Sequence, residues 1–200
     1  MSLRKAYLIV FIILLVDQLS KIYIKTNFIL GDEIKVMGMS WFRIHFIENE
    51  GMAWGTVIPG AYGKLILTLF RLLVVPLIGY WLWDSVVRKQ SSNYLIVAIS
   101  LIFAGALGNI IDSVFYGVIF NDSSYQLASL FSDKPYGHWL YGKVVDMLYF
   151  PLFEGDFPEW LPVFGGQHFK FFNAIFNIAD TAISTGVGIL IVFNKKAFPN

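Results

Sequence analysis

The sequence predicts an all-α polytopic membrane protein with four spanning helices, and three observations carry that prediction. The first is composition. Of 200 residues, 56% are hydrophobic and only 14% charged, where a soluble domain carries roughly 25% charged residues; the mean hydropathy is +0.63. The second is a set of four apolar runs, about residues 6–24, 62–83, 94–114 and 172–193, each long enough to cross the hydrocarbon layer. The third is the placement of positive charge. Arg4, Lys5, Arg88, Lys89, Lys195 and Lys196 fall in the short stretches flanking these runs, where the only acid is Asp84. Lys and Arg in short loops mark the cytoplasmic side. Both termini are therefore expected inside, and the longer segments 25–61 and 115–171 outside. The whole of 1–200 reads as one membrane-embedded domain.

Composition also narrows the function. A net charge of +1 gives no reason to expect nucleic acid as a partner, and the absence of cysteine excludes disulfides, thiolate metal sites and cysteine nucleophiles. His45, His138 and His168 are widely separated without metal-ligand spacing, so neither metal nor cofactor is expected.

The first run, Ala6 to Ile24, is apolar except for Asp17, Gln18, Ser20 and Lys21. A cleaved signal peptide is the competing reading, but no small-x-small site follows the apolar core. Asp17 and Lys21, four residues apart, can pair on one helical face. In the next segment WFRIHFI (Trp41–Ile47) alternates and predicts a short strand, followed by the glycine-containing stretch ENEGMAWG (Glu48–Gly55). The second run, Tyr62 to Trp83, is interrupted by Arg71 and Pro76. The third ends in AGALGNIIDSV, which places Asn109 and Asp112 on one face near its outer end. The segment Phe115 to Phe171 is rich in aromatic residues, Gly and Pro, with runs too short and broken to span.

The last run, FNAIFNIADTAISTGVGILIV (Phe172–Val192), organises the chain. Spacings of four and three predict Asn173, Asn177 and Asp180 on one face of a helix starting near Phe172. An ionised Asp at membrane depth costs about 3 kcal/mol, and such residues usually have a partner or a task. A carboxyl that merely caps the helix at the water interface is the competing reading.

The polar groups share a level. Asp17 lies beyond the midpoint of an outward-running helix, Asn109 and Asp112 near the outer end of the third, and Asp180 near the outer end of the fourth. VVDML (Val144–Leu148) approaches from the outer segment. Two carboxyls in close, poorly hydrated contact tend to share one proton. The ionised member can take a proton from water while the protonated one polarises a carbonyl oxygen and later assists the leaving amine. That is peptide hydrolysis without a metal, and the pair titrates as a unit.

DQLSK (Asp17–Lys21), NEGMAWG (Asn49–Gly55), GALGNIID (Gly105–Asp112), VVDML (Val144–Leu148) and FNIAD (Phe176–Asp180) resemble, in order, the signatures of lipoprotein signal peptidase, signal peptidase II. The resemblance implies an intramembrane aspartyl protease of the bacterial cytoplasmic membrane. It would cut prolipoproteins just before a diacylglyceryl-modified cysteine, with the active site toward the outer face, no cofactor, membrane lipid around it and no need of an oligomer. It implies Asp146 and Asp180 as the catalytic pair. Asn49, Asn109, Asp112, Asn177 and Asp17 fall on supporting positions, and a small outer β-cradle with an interfacial helix falls in Asn27–Gly60.

Two features depart from the family. Ser113 stands where an Arg usually follows the acid of the third motif; Arg71 is a candidate substitute, pairing with Asp17 or Asp112. The stretches Tyr116–Tyr141 and Tyr149–Lys170 are longer than the family needs, and read as interfacial insertions. Rival functions are a proton- or ion-coupled transporter, which has too few spans here for two repeats, and a membrane scaffold, which needs no acid pair.

Overall fold

Helix α1 (Leu3–Asn27) forms because a long apolar run carries no Gly or Pro until its end. The computed structural model describes residues 1–50, 58–60 and 62–199, the side chains of Glu154 and Lys170 excepted. After α1 come β1 (Glu33–Lys35), a 3₁₀ turn (Val36–Gly38), β2 (Arg43–Asn49), α2 (Gly63–Val87) and α3 (Asn93–Ile111). Ser92 caps α3, its hydroxyl accepting from the Leu95 N–H at 3.2 Å. A π-turn (Asp112–Tyr116) and α4 (Gly117–Ile119) continue α3. Then follow β3 (Val144–Tyr149), β4 (Phe153–Asp156), β5 (His168–Phe171), β6 (Ile175–Phe176), α5 (Ile178–Val192) and α6 (Asn194–Ala197).

Among the described residues, three helices, α1, α2 and α3 with its continuation to Ile119, are long and apolar enough to cross a membrane. The expectation for the fourth run is corrected. Its helix starts at Ile178, not Phe172, and its 15 residues reach only about 22 Å. Residues 175–176 instead pair with β3, Leu148 opposite Phe176 and Tyr149 opposite Ile175. Asn177 then caps α5 in a reciprocal capping box with Asp180. The predicted shared helical face of Asn173, Asn177 and Asp180 does not form, because Asn173 precedes the helix and accepts from the Tyr149 hydroxyl at 2.9 Å.

The four-stranded antiparallel sheet runs in the order β1-β2-β3-β6, and β4-β5 form a separate hairpin. The chain is thus more than an all-α bundle. WFRIHFI contributes β2, shifted two residues on, and VVDML is the central strand β3. The described residues of Asn27–Gly60 form strands and the 3₁₀ turn. The predicted interfacial helix is not among them, and Gly51–Gly55 of the second motif lie outside the described residues.

Two apolar cores hold the molecule. One, with Ala6, Val10, Leu82, Ile96 and Ile99, joins the helices. The other, with Ile24, Phe46, Phe120, Val145 and Met147, joins the sheet to α1 and to the segment after α4. That segment is no loose insertion. Lys25 at the end of α1 pairs with Glu48, donates to the Ser123 hydroxyl at 3.0 Å, and sits 5.0 Å from the Phe120 ring and 5.1 Å from that of Tyr136.

Helices α3 and α5 touch through glycine. A Cβ on Gly105 would stand 2.2 Å from the Ala179 carbonyl oxygen, and one on Gly186 would stand 2.7 Å from that of Ala98. Small residues let helix backbones approach closely in membrane proteins. Gly105→Ala is therefore expected to destabilise the protein by about 1–3 kcal/mol, read as a lowered midpoint in detergent-titrated unfolding; an unchanged midpoint would show that the pair can part without cost.

Candidate active site

Six elements deliver polar groups to one end of the helices. From α1 come Asp17, Gln18 and Lys21, a polar patch in an otherwise apolar run. Asn109 comes from the last turn of α3, and Asp112 opens the π-turn. β2 ends in Asn49, β3 carries Asp146, and the start of α5 supplies Asn177 and Asp180.

Lys21 is the hub. Fully buried, its ammonium lies 2.9 Å from Asp17, 2.8 Å from Asp112 and 2.9 Å from the Asn109 amide oxygen. An ammonium has three donors and no acceptor, so all three are used. Asn109 must turn its oxygen to this cation, which leaves its NH₂ to donate to Asp180 Oδ1 at 2.8 Å. Asn177 is oriented by the same logic. Its oxygen caps α5 by accepting the Asp180 N–H at 2.8 Å, so its NH₂ donates to Asp146 Oδ1 at 2.7 Å and also reaches the Asn109 oxygen at 3.1 Å. Asn49 donates to the other oxygen of Asp146. Asp146 and Asp180 thus belong to one hydrogen-bonded unit, with Asn177 touching both.

The two acids differ in setting. Asp146 is buried and Asp180 half-buried. Burial pushes the Asp146 carboxyl up to about 8, and the Asp180 charge pushes the same way, against Lys21 and the amide donors of Asn177 and Asn49. Asp180 also accepts from the Asn177 N–H at 3.3 Å. Asp180 thus takes part in capping α5, and the capping geometry is what turns it toward Asn109.

Asp17 and Asp112 stand one step behind. Asp17 accepts the Ala179 N–H at 2.9 Å, tying α1 to the start of α5, and Asp112 accepts the Val145 N–H at 3.3 Å, beside Asp146. The predicted Asp17–Lys21 pair is present. Sequence reasoning missed two further members: Gln18 donates to both Asp17 and Asp112 at 3.0 Å, and the Tyr116 hydroxyl donates to Gln18. Their signal was a carboxamide inside an apolar run, which needs partners wherever it is buried.

The ammonium in direct contact with both Asp17 and Asp112 is that of Lys21, on α1 itself. Arg71 reaches across from α2 to the Ser113 hydroxyl at 3.5 Å, near Lys64 Nζ, which is 3.4 Å from the same oxygen. Its charge also interacts with those of Asp180, Asp112 and Asp146.

Comparison with known proteins shows the family. The model of the Peptidase_A8 family, signal peptidase (SPase) II, matches residues 9–195. A lipoprotein signal peptidase of Porphyromonas gingivalis is 46% identical over 185 residues, 92% of this chain and 80% of that protein. One of Amoebophilus asiaticus is 36% identical over 198 residues, covering 96% and 78%. Two solved bacterial membrane enzymes, determined by the in meso method at 2.3 Å and 1.9 Å, each superpose with a TM-score of 0.62. They are 26% and 28% identical, covering 96% and 98% of this chain and 89% and 96% of theirs. With a family model running almost end to end and the motif residues gathered around one pair of acids, the chain belongs to the signal peptidase II family.

Proposed function

We propose that the protein removes signal peptides from prolipoproteins as an intramembrane aspartic endopeptidase, with Asp146 and Asp180 activating the water. The observation that carries this reading is the Asn177 amide: it caps Asp180 and donates to Asp146, so two carboxyls 34 residues apart in sequence (180 − 146) are held about a common space. Asp146, kept high by burial, holds the shared proton in the resting pair and lends it to the scissile carbonyl oxygen. Asp180, half-buried and at the open side, takes a proton from water as its oxygen attacks the carbonyl carbon. The tetrahedral diol then collapses, the C–N bond breaks, and the proton taken by Asp180 goes to the leaving amine. Asn49, Asn109 and Asn177 orient the acids, while Asp17 and Asp112 hold Lys21. No observation favours a transporter.

The substrate is a precursor whose cysteine already bears diacylglycerol. Acyl chains and an apolar signal helix supply binding energy remote from the scissile bond, which is how a site at the end of membrane helices holds a peptide. In this reading α5 is a fourth span. Its short length is made up at the acid end by β6, whose backbone is paired within the protein and not exposed to lipid. The orientation follows from the other end. Ser92 donates to the Ala197 carbonyl at 2.9 Å, and the amino group of Met1 donates to Asn93 at 2.6 Å. The basic residues flanking the helices thus gather at one end, which is cytoplasmic by the positive-inside rule. The acids then face outward from a bacterial inner membrane.

The test is cleavage of a diacylglyceryl-modified prolipoprotein by the purified protein, beside the unmodified precursor. Release of the signal peptide from the modified form supports the assignment; release from neither ends it. Arg71 belongs to the same reading as a cation on α2 whose charge interacts with those of Asp180, Asp112 and Asp146. Arg71→Gln is expected to lower kcat/KM about tenfold, equivalent to about 1.4 kcal/mol of transition-state stabilisation, without loss of folding. Full activity would remove Arg71 from the site.

A further inference from the structure

The chain between Asp146 and Asp180 does not run directly from β3 to β6. It first makes the β4–β5 hairpin, with Phe153 opposite Phe171 and Asp156 opposite His168. This hairpin exposes large apolar side chains to an unusual degree: Phe153 67%, Trp160 79% and Val163 83%, with Phe164 and Phe171 also exposed. Its own packing covers them only in part: Phe157 packs on Phe169 with centroids 4.6 Å apart and on Phe164 at 5.9 Å, and Phe153 meets Phe171 at 6.0 Å. Exposed apolar surface of this kind marks an interaction surface.

A second observation shows where the patch leads. From the root of the hairpin, Phe172 meets Phe176 at 6.1 Å, Phe176 meets Phe150 at 5.7 Å, Phe150 stacks on Phe42 at 4.7 Å, and Trp41 lies 6.4 Å from Phe150. Aromatic rings therefore run from Phe172, the residue that follows β5, across the sheet to the β1–β2 turn. Leu148, which pairs with Phe176, lies on the same face of β3 as Asp146 by the two-residue alternation. The ring strip thus passes beside the acid pair.

The occupant follows from position and residue type. The strip lies at the end of the bundle where α1 stops, α3 turns and α5 begins, so it continues the exposed apolar flank of membrane-length helices. Trp, Tyr and Phe are the residues that concentrate where hydrocarbon meets water. The exposed polar groups of the hairpin, Asp156, Glu159 and His168, sit among them as headgroup-level neighbours. We propose that the β4–β5 hairpin is an interfacial foot, which sets its rings into the lipid–water boundary on the acid side of the membrane and holds the aromatic face of the sheet against the lipid. It rests on the membrane reading of the chain, not on the cleavage reaction.

Because the chain has no cysteine, single cysteines label cleanly. Trp160→Cys, Val163→Cys and Phe164→Cys are each spin-labelled and reconstituted in phospholipid nanodiscs, with Lys89→Cys, exposed in the short polar loop between α2 and α3, as the water-facing control. Collision with oxygen, which partitions into lipid, is compared with collision with a water-soluble nickel chelate. The oxygen-to-nickel ratio is expected to be several-fold higher at the hairpin positions than at residue 89. A ratio equal to the control at all three overturns the foot, as does shielding from both reagents, which would mean a second protein chain covers the hairpin. Three positions guard against one that disturbs folding. A second measurement uses Phe153→Ser combined with Phe164→Ser. It should lower cleavage of a bilayer-embedded precursor several-fold while leaving cleavage of the same precursor in detergent unchanged. Equal loss in both media would mean the rings serve folding and not the bilayer. If the parent protein cleaves nothing, the functional reading fails, but the collision ratios still decide the foot.

Discussion

Asp146→Asn and Asp180→Asn are each expected to lower kcat on a lipidated prolipoprotein by about 10²–10⁴-fold, the range for loss of a positioned acid or base, while the protein stays folded. Folding survives because the substituting carboxamide has the same shape. At position 180 its oxygen can still accept from Asn109 or from the Asn177 N–H. At position 146 one oxygen can still meet Asn177 or Asn49. The double variant should be little worse than either single one, because residues that act as a unit lose their function together. Steady-state cleavage and unfolding midpoints on the same preparations check this. Retained activity in either single variant would end the assignment of that acid.

The same pair sets the pH dependence. Burial and the neighbouring Asp180 charge raise the Asp146 carboxyl to about 8, above its value in the unfolded chain. The folded protein therefore keeps a proton that the unfolded chain has lost, and stability falls as pH rises from about 4, the ordinary Asp value, toward 8. Catalysis needs that proton too, so kcat/KM should fall on the alkaline side with an apparent midpoint near 8, a property of the pair. In Asp146→Asn the loss of stability between these pH values should shrink. A profile flat through pH 9 would mean that the shared proton is not held at Asp146.

Much of this arrangement was legible because each motif residue is polar in an apolar setting, and burial obliges such groups to find one another. Asp17, Asn109, Asp112, Asp180 and the VVDML stretch that carries Asp146 could be placed at one level without coordinates. What failed was the start of α5. Ile175 and Phe176 are as apolar as the helix that follows, so hydropathy cannot separate a strand buried against β3 from another helical turn. The Asn177-x-x-Asp180 spacing fits a helical face and a capping box equally well, and only the pairing of Ile175 with Tyr149 decides between them. The partners of Arg71 depend on how α2 sits against α3, whereas Lys21 reaches Asp17 from its own helix.

Lys21→Met should be the most destabilising single change at the site. It strips the cation from Asp17 and Asp112, both fully buried, and breaking a buried ion pair by removing one partner costs about 3–5 kcal/mol. Gln18 cannot compensate, since its amide already donates to both acids. Low yield alone would not separate stability from function, so the informative partner is Lys21→Met with Asp112→Asn. The carboxylate facing Val145 is then neutral, and Asp17 retains the Ala179 N–H and Gln18. The unfolding midpoint should recover substantially while kcat stays low. The reason is geometric: without the ammonium at 2.9 Å, the Asn109 oxygen keeps only the Asn177 amide at 3.1 Å, so its NH₂ is less firmly committed to Asp180. Recovery of kcat together with stability would mean that Asn177 alone orients Asn109, and that Lys21 serves only to neutralise the acids behind the site.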